Sequence, residues 1–260
     1  MKADLKAKKI LVTAPKNYGQ KLCRLIEKAH GIAYPFPTIE TFINPDQSKL
    51  LNIFYQLPEI PHIILPSRMA IDAFFKTLKR LSAKPDLKKA HFYAFGKDAG
   101  YMFKQYHQSV ACQPEEPGPH GVVSCFQSLS NPVSVILLAP KVTGVPEPDV
   151  IPNMIYHLEK TGAHITKIEA YITQANDLKQ FSKAYQLLQE VDQNTVIAFT
   201  STAEILSLLK YFTPAHLNRY KIACFGPYTG SNALKLGLHP VYIGEKYGSF
   251  EDFIEGMASL

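Results

Sequence analysis

The sequence predicts an α/β protein with parallel sheets, and three pairs of matching segments carry that prediction. His62-Ile-Ile-Leu-Pro-Ser67 matches Val196-Ile-Ala-Phe-Thr-Ser201, each a short apolar run ending in serine. That is the pattern of a buried parallel strand entering a helix. Phe92-Tyr-Ala-Phe-Gly96 matches Ile222-Ala-Cys-Phe-Gly226, and Ile10-Leu-Val-Thr-Ala-Pro-Lys16 matches Ile136-Leu-Leu-Ala-Pro-Lys141. Behind the first pair, Ile71, Phe74, Phe75 and Leu78 answer Ile205, Leu208, Leu209 and Phe212 at i, i+3, i+4, i+7, one apolar helix face in each copy. Behind the second pair, Ala99, Met102, Phe103 and Tyr106 answer Thr229, Asn232, Ala233 and Leu236. Behind the third, each helix is expected to close at a glycine, Gly31 or Gly162, and to lead into a further strand. Two copies of about five strands each make two similar lobes.

Composition narrows the class. A chain of 260 residues with 46% hydrophobic and 19% charged residues has enough apolar material for a core, which excludes disorder. No apolar run approaches the ~20 residues of a membrane span. The opening residues carry charge with no apolar stretch behind them, unlike a signal peptide. Cys23, Cys112, Cys125 and Cys224 are far apart in sequence, so a reducing-compartment protein without a disulfide or cysteine-based metal site is expected. Residues 1–30 contain eight basic and two acidic residues, which is the whole net charge of +6. Only four of the 28 basic residues are arginine, so the lysine runs read as solvated helix faces rather than a nucleic-acid surface.

In parallel sheets ligands sit beyond the carboxyl ends of the strands. The candidate turns are Thr13–Lys16, Pro66–Arg68, Gly96–Asp98, Ala139–Thr143, Thr200–Thr202 and Gly226–Thr229. Free N–H groups at helix starts suit carboxylates. Ser67, Thr200, Ser201 and Thr202 are equally good helix caps, and Pro227 after Gly226 is an ordinary helix opening. Nucleotide-loop, zinc-helix and serine-elbow motifs do not occur, and the nine histidines show no ligand spacing. Pro117-Gly-Pro-His-Gly121 reads as a loop. Tyr171 is a β-favoured aromatic at the end of the strand after Gly162, core-like by composition.

These turns together resemble the uroporphyrinogen-III synthase family over residues 9–258. Val196–Ser201 followed by Ile222-Ala-Cys-Phe-Gly-Pro-Tyr-Thr229 is similar to the family's apolar-F-T-S and I-G-P-T-T elements. Ile10-Leu-Val-Thr13, the strand ending in Tyr171, and Gly237-Leu238 with Ser249–Ile254 resemble further elements. Departures stand at Pro66-Ser67-Arg68 for the first T-S-P, at Ala99, at Pro140-Lys141 and at Thr202.

The resemblance implies two similar flavodoxin-like lobes with parallel sheets, joined by a two-stranded linker. One lobe comprises residues 1–37 and 173–260, the other 46–168, with linkers at 38–45 and 169–172. It implies cyclisation of the linear tetrapyrrole hydroxymethylbilane with inversion of its last ring and loss of water, by a cytoplasmic, monomeric enzyme without metal or other cofactor. Tyr171 matches the proton donor, while Ser67, Thr200, Ser201, Gly226, Pro227 and Thr229 match turns that touch the substrate, largely through backbone N–H groups. Two rivals stay open: a non-catalytic two-lobed module for an anionic small molecule, and a two-lobed sugar-nucleotide transferase, for which the chain is short.

Lobes tied only by two strands are expected to close on a flexible substrate. Small-angle scattering is then expected to give a more compact profile with product bound, and a single rigid profile in both states would refute closure.

Overall fold

The computed structural model describes residues 4–56, 62–112, 114, 116, 118–127, 129, 133–190, 192, 194–245 and 249–260. Lys2 of the opening basic run and Pro117 of the expected loop lie outside them. In chain order the strands are β1 (Lys9–Val12), β2 (Ile32–Pro35), β3 (Ile39–Ile43), β4 (His62–Leu65), β5 (His91–Ala94), β6 (Ser134–Thr143), β7 (His164–Ala175), β8 (Thr195–Phe199), β9 (Lys221–Cys224) and β10 (Tyr242–Ile243). The chain divides into two compact units. Unit 1 holds the described part of Met1–Glu40 with Thr143–Glu147 and Gln174–Leu260, and unit 2 holds Thr41–Val142 with Pro148–Thr173.

Unit 1 is built on a five-stranded sheet in the order β10-β9-β8-β1-β2. Its four neighbour pairs are all parallel, with Leu11 beside Ile197 and Ile197 beside Ile222. Successive side chains point to opposite faces of a strand. Ile10, Val12, Val196, Ala198 and Ala223 therefore pack one way, against Leu22, Ile26, Phe253 and Met257. Leu11, Ile197, Phe199, Ile222 and Cys224 pack the other way, against Ile205, Leu208, Leu217 and Ala233. Burial on both faces explains why these strands read as unbroken apolar runs.

The second sheet has the order β3-β7-β6-β4-β5, with β4 parallel to both β5 and β6. Ile63, Leu65, Phe92 and Ile136 meet Phe54, Ile71 and Phe74 on one face. Ile64, Tyr93, Val135 and Leu137 meet Val122, Phe126, Met154 and Leu158 on the other. All three repeat pairs form strands where the periodicity placed them, and the α/β class with parallel sheets holds.

Several local expectations change. The face running from Ile205 to Phe212 is not one helix: Thr202–Leu208 ends after seven residues, and Pro214–Leu217 starts afresh. Pro214 has no N–H with which to continue a helix, and the Thr213 hydroxyl caps the new one by accepting from His216 N–H. Phe103 points outward at 59% exposure while Met102 is fully buried. Ala139–Thr143 is no turn, because β6 runs through Thr143. Pro119 opens a helix, Pro119–Gln127, over most of the expected loop. Tyr171 lies within β7 rather than at its end.

The two helix-closing glycines serve different needs. Gly162 has φ +86°, the left-handed region that disfavours a side chain. After Lys16–Lys28 it is His30 that takes the left-handed conformation, at φ 59°. Gly31 is needed for space, since a Cβ there would sit 2.7 Å from Leu5 Cδ1 and 2.8 Å from Ile26 Cγ2.

Cys112 and Cys125 form a disulfide, against the sequence expectation, with Cα atoms 6.1 Å apart. Ala111 N–H bonds to Phe92 O, which holds Cys112 at the edge of β5, and Cys125 faces it from the helix Pro119–Gln127. Such proximity is set by packing, not by sequence spacing. Cys23 and Cys224 are free and buried.

Phe74 is fully buried, with its ring edge-on to Phe54, Phe75 and Phe92. Phe74→Ala is expected to cost about 3–5 kcal/mol in urea unfolding. Phe103→Ala, on the solvent side of Asp98–Tyr106, is expected to stay within about 0.5 kcal/mol.

Candidate active site

In unit 2 the polar residues gather at the carboxyl ends of β4 and β5. Ser67 follows β4 and caps the helix Arg68–Lys79, its Oγ accepting from Ala70 N–H at 3.2 Å. The same hydroxyl donates to the Tyr171 phenol oxygen at 3.1 Å. Tyr171 reaches this point from β7 with 6% of its surface exposed, its ring in the apolar cluster around Ile71 and Phe74. The ring of Tyr171 packs as its composition suggested, and its hydroxyl meets a candidate turn at Ser67. Burial pushes its phenol up to about 12; the Ser67 bond opposes this and the Asp98 charge adds to it. Tyr171 thus keeps its proton at neutral pH. Since Ser67 supplies the proton of their shared bond, the phenol proton is not consumed by it.

Arg68 and Asp98 flank this pair. Arg68 Nε lies 2.9 Å from Asp98 Oδ1, and its guanidinium rests over the Tyr101 ring at 5.3 Å. Burial raises the Asp98 carboxyl, with the bond and charge of Arg68 working against it. Tyr101 and Tyr106 both donate to Asp72 Oδ1 at 2.8 Å, and Lys76 meets Asp72 Oδ2 at 2.9 Å. Of the first-copy departures, Pro66 is buried at the end of β4 and Ala99 is half-buried on its helix.

Unit 1 has a second cluster, at the carboxyl ends of β1, β8 and β9. Its centre is Glu204, fully buried on the helix Thr202–Leu208. Glu204 Oε1 accepts from Thr200 Oγ1 at 2.6 Å and from Ser201 Oγ at 3.0 Å. Oε2 accepts from Thr200 N–H at 2.8 Å and lies 2.6 Å from Thr13 Oγ1. Burial drives the Glu204 carboxyl upward in pKa, against the hydrogen bonds from Thr13, Thr200 and Ser201. The Glu204 carbonyl also accepts from Thr38 Oγ1 at 3.2 Å.

Thr200 and Ser201 thus turn their polar groups inward, onto Glu204. Ser201 occupies the cap position, but its side chain makes no cap bond. Thr202 starts the helix, and its Oγ1 is buried without a partner among the described residues. Gly226 caps Pro227–Lys235 in an extended conformation, with Pro227 exposed at the first helical position. Thr229 is buried and donates to the Thr200 carbonyl at 3.4 Å, which ties the two turns together.

Among the sequence-predicted residues, Ser67 meets Tyr171 in unit 2, and Thr200 meets Thr229 in unit 1, while Ser201 joins Thr200 on Glu204. Thr13 and Asp98 stand in two of the candidate turns read from the sequence, whereas Glu204 escaped that reading. The spacing Ser201-Thr-Ala-Glu204 is a capping-box signature that marks Glu204. Nothing in sequence pairs it with Thr13. No group of three or more metal-ligating side chains lies together among the described residues.

The model of the family described as uroporphyrinogen-III synthase HemD matches residues 20–251. A mutant uroporphyrinogen III synthase from the extremely thermophilic bacterium Thermus thermophilus is similar in fold, with a TM-score of 0.70 at 15% identity over 97% of this chain and 98% of that one. The uroporphyrinogen-III synthetase from Helicobacter pylori has a TM-score of 0.54 at 18% identity, over 95% and 96% of the two chains. Among curated proteins none matches the sequence. At such low identity the solved structures speak for the fold, whereas the family match takes in most of both units and all the candidate turns from Ser67 to Thr229. The chain belongs to the uroporphyrinogen-III synthase family.

Proposed function

We propose that this family member closes hydroxymethylbilane to uroporphyrinogen III mainly by confining the substrate, with Tyr171 as proton donor. The observation that carries the reading is the single family match over residues 20–251, which embraces Ser67, Tyr171, Thr200–Ser201 and Gly226–Thr229.

The chemistry asks for little covalent help. A pyrrole nitrogen expels the terminal hydroxide, and the resulting methylene-pyrrole attacks the last ring through a spiro intermediate. That ring then recloses inverted with loss of a proton, so hydroxide and proton leave together as water, the balance of a hydro-lyase. The substrate also cyclises unaided without inversion, so the protein must select one geometry, an orientation effect. A donor need only assist the leaving hydroxyl. A tyrosine that retains its proton, and whose oxygen already accepts from Ser67, suits that role. The residues of this chain then supply binding and one proton, and no step calls for a metal or cofactor.

The turns that carry Ser67, Thr200, Ser201, Gly226, Pro227 and Thr229 meet the substrate's carboxylates through the N–H groups left free at their helix starts, since Pro227 has no N–H, Thr200 N–H is held by Glu204, and the hydroxyls serve Ala70, Tyr171, Glu204 and Thr200 internally. The same reading takes residues 1–37 with 173–260, and 46–168, as two flavodoxin-like lobes tied at 38–45 and 169–172. It takes the protein as a cytoplasmic monomer. The two compact units and the two five-stranded sheets support the division into two lobes.

Purified protein given hydroxymethylbilane without added metal is expected to form the type III isomer. Type I product alone, at the spontaneous rate, would overturn the proposal and favour a binding module. Tyr171→Phe keeps the ring and is expected to lower turnover roughly ten- to a hundred-fold at a stability cost of about 1 kcal/mol. With a phenol pushed up to about 12, the Tyr171-dependent part of the rate is expected to be constant through neutral and mildly alkaline pH. Turnover unchanged in Tyr171→Phe would leave Tyr171 with packing alone.

A further inference from the structure

Thr13 Oγ1 stands 2.8 Å from the Ala198 carbonyl oxygen and 2.6 Å from Glu204 Oε2. A threonine hydroxyl has one proton, and a carbonyl oxygen has none to give. If the threonine proton goes to Ala198, the bond to Glu204 requires a proton from the carboxyl itself. The other three contacts of Glu204 fit that assignment, since Thr200 N–H, Thr200 Oγ1 and Ser201 Oγ can all donate to it. No cationic side chain is ion-paired with Glu204 among the described residues. The polar groups around it come from β1, from β8 and its turn, and from Thr38. The titratable group facing it is Cys224 on β9, whose thiol burial pushes up to about 12. That thiol stays protonated and cannot balance a charge.

We propose that Glu204 is a neutral carboxylic acid and the positioning residue of the unit-1 turns, donating to Thr13 and accepting from Thr200 and Ser201. A carboxylic acid is one of the few side-chain groups that can donate at one oxygen while both oxygens accept. It thereby tethers the turn after β8 to the end of β1. The Thr229 bond to the Thr200 carbonyl carries that order to the turn after β9. Glu204 touches no substrate atom and acts through the backbone it holds. Its part in substrate holding rests on the tetrapyrrole reading above, whereas its protonation state does not and is measured without substrate.

The first test compares thermal unfolding of the wild type and Glu204→Gln from about pH 5 to about pH 9 with no ligand. A carboxyl whose proton is held more tightly in the folded state stabilises fully below the unfolded pKa, and the advantage fades as pH rises toward the folded value. The wild type is therefore expected to lose ground to Glu204→Gln with rising pH, by up to about tenfold in folding constant per pH unit. A protonated-carboxyl infrared band in the wild type, absent from Glu204→Gln, is expected alongside. A stability difference that is constant with pH, or that moves in the wild type's favour, would show an ionised Glu204 and overturn the proposal.

The second test reads positioning. Glu204→Ala is expected to raise KM about tenfold with kcat within about threefold, and to increase the type I fraction, while Glu204→Gln, whose Nε2 can donate to Thr13 but cannot accept from Thr200 N–H, restores both in part. Should Glu204→Ala fail to fold, Thr13→Val removes the same tether and is expected to raise KM in the same direction. An unchanged KM and isomer ratio in the folded variant would overturn the positioning role, whatever the protonation result.

Discussion

Parallel pairing of β8 with both β1 and β9 is the constraint on which the unit-1 cluster depends. Because the three strands run the same way in register, their carboxyl ends arrive at one edge: Val12 beside Ala198, and Phe199 beside Cys224. The residues that follow, Thr13, Thr200 and Gly226, are brought together without being near in sequence. The same arrangement in unit 2 places β4 between β5 and β6, so that Ser67 and Asp98 flank one edge. Burial of both faces of each sheet makes this register costly to change, since a shift of one residue would exchange the two cores.

Each edge ends in polar groups that the sheet cannot pair, and the two units satisfy them differently. Unit 2 uses a conventional cap: the Ser67 hydroxyl accepts from one helix N–H and donates to the Tyr171 oxygen. Unit 1 uses a buried carboxyl, with Glu204 meeting Thr13, Thr200 and Ser201 and so replacing the cap that Ser201 does not make. The exchange leaves a defect at Thr202, where the resemblance to the family leads one to expect proline. A buried unpaired hydroxyl costs on the order of 1–3 kcal/mol, and Thr202 Oγ1 has no partner among the described residues. Lys76 meets Asp72 in unit 2, and other lysines serve elsewhere. Lys9 pairs with Asp192 and Lys8 caps the last helix at the Ala258 carbonyl, while Lys6, Lys21 and Lys28 are solvated.

Much of this was legible in the amino-acid order. The six repeated strands, the parallel α/β class, the turns that bear Ser67, Ser201 and Gly226, and the family resemblance all follow from apolar runs and helix-start residues. These are local signals, set by backbone hydrogen bonding and by the two periodicities of burial. The misreadings are also local in origin. Ile205 to Phe212 keeps a helical period across a break that Pro214 imposes from beyond it, and Phe103 has the right spacing for a core position that Met102 and the neighbouring helix already fill. Gly31 looked like a left-handed cap, but His30 adopts that conformation and Gly31 supplies room for Leu5.

By itself, then, the sequence determined which segments become strands, which turns stand at helix starts, and which family the chain joins. Only the tertiary structure decided the contacts made across the chain: Ser67 with Tyr171 across 104 residues, Glu204 with Thr13 across 191, and Cys112 with Cys125. The physical reason is range. A strand or helix is encoded in the spacing of a dozen neighbours, whereas the partner of a buried hydroxyl or carboxyl depends on sheet order and register, which bring distant strand ends within three ångströms or so only once the whole sheet has formed.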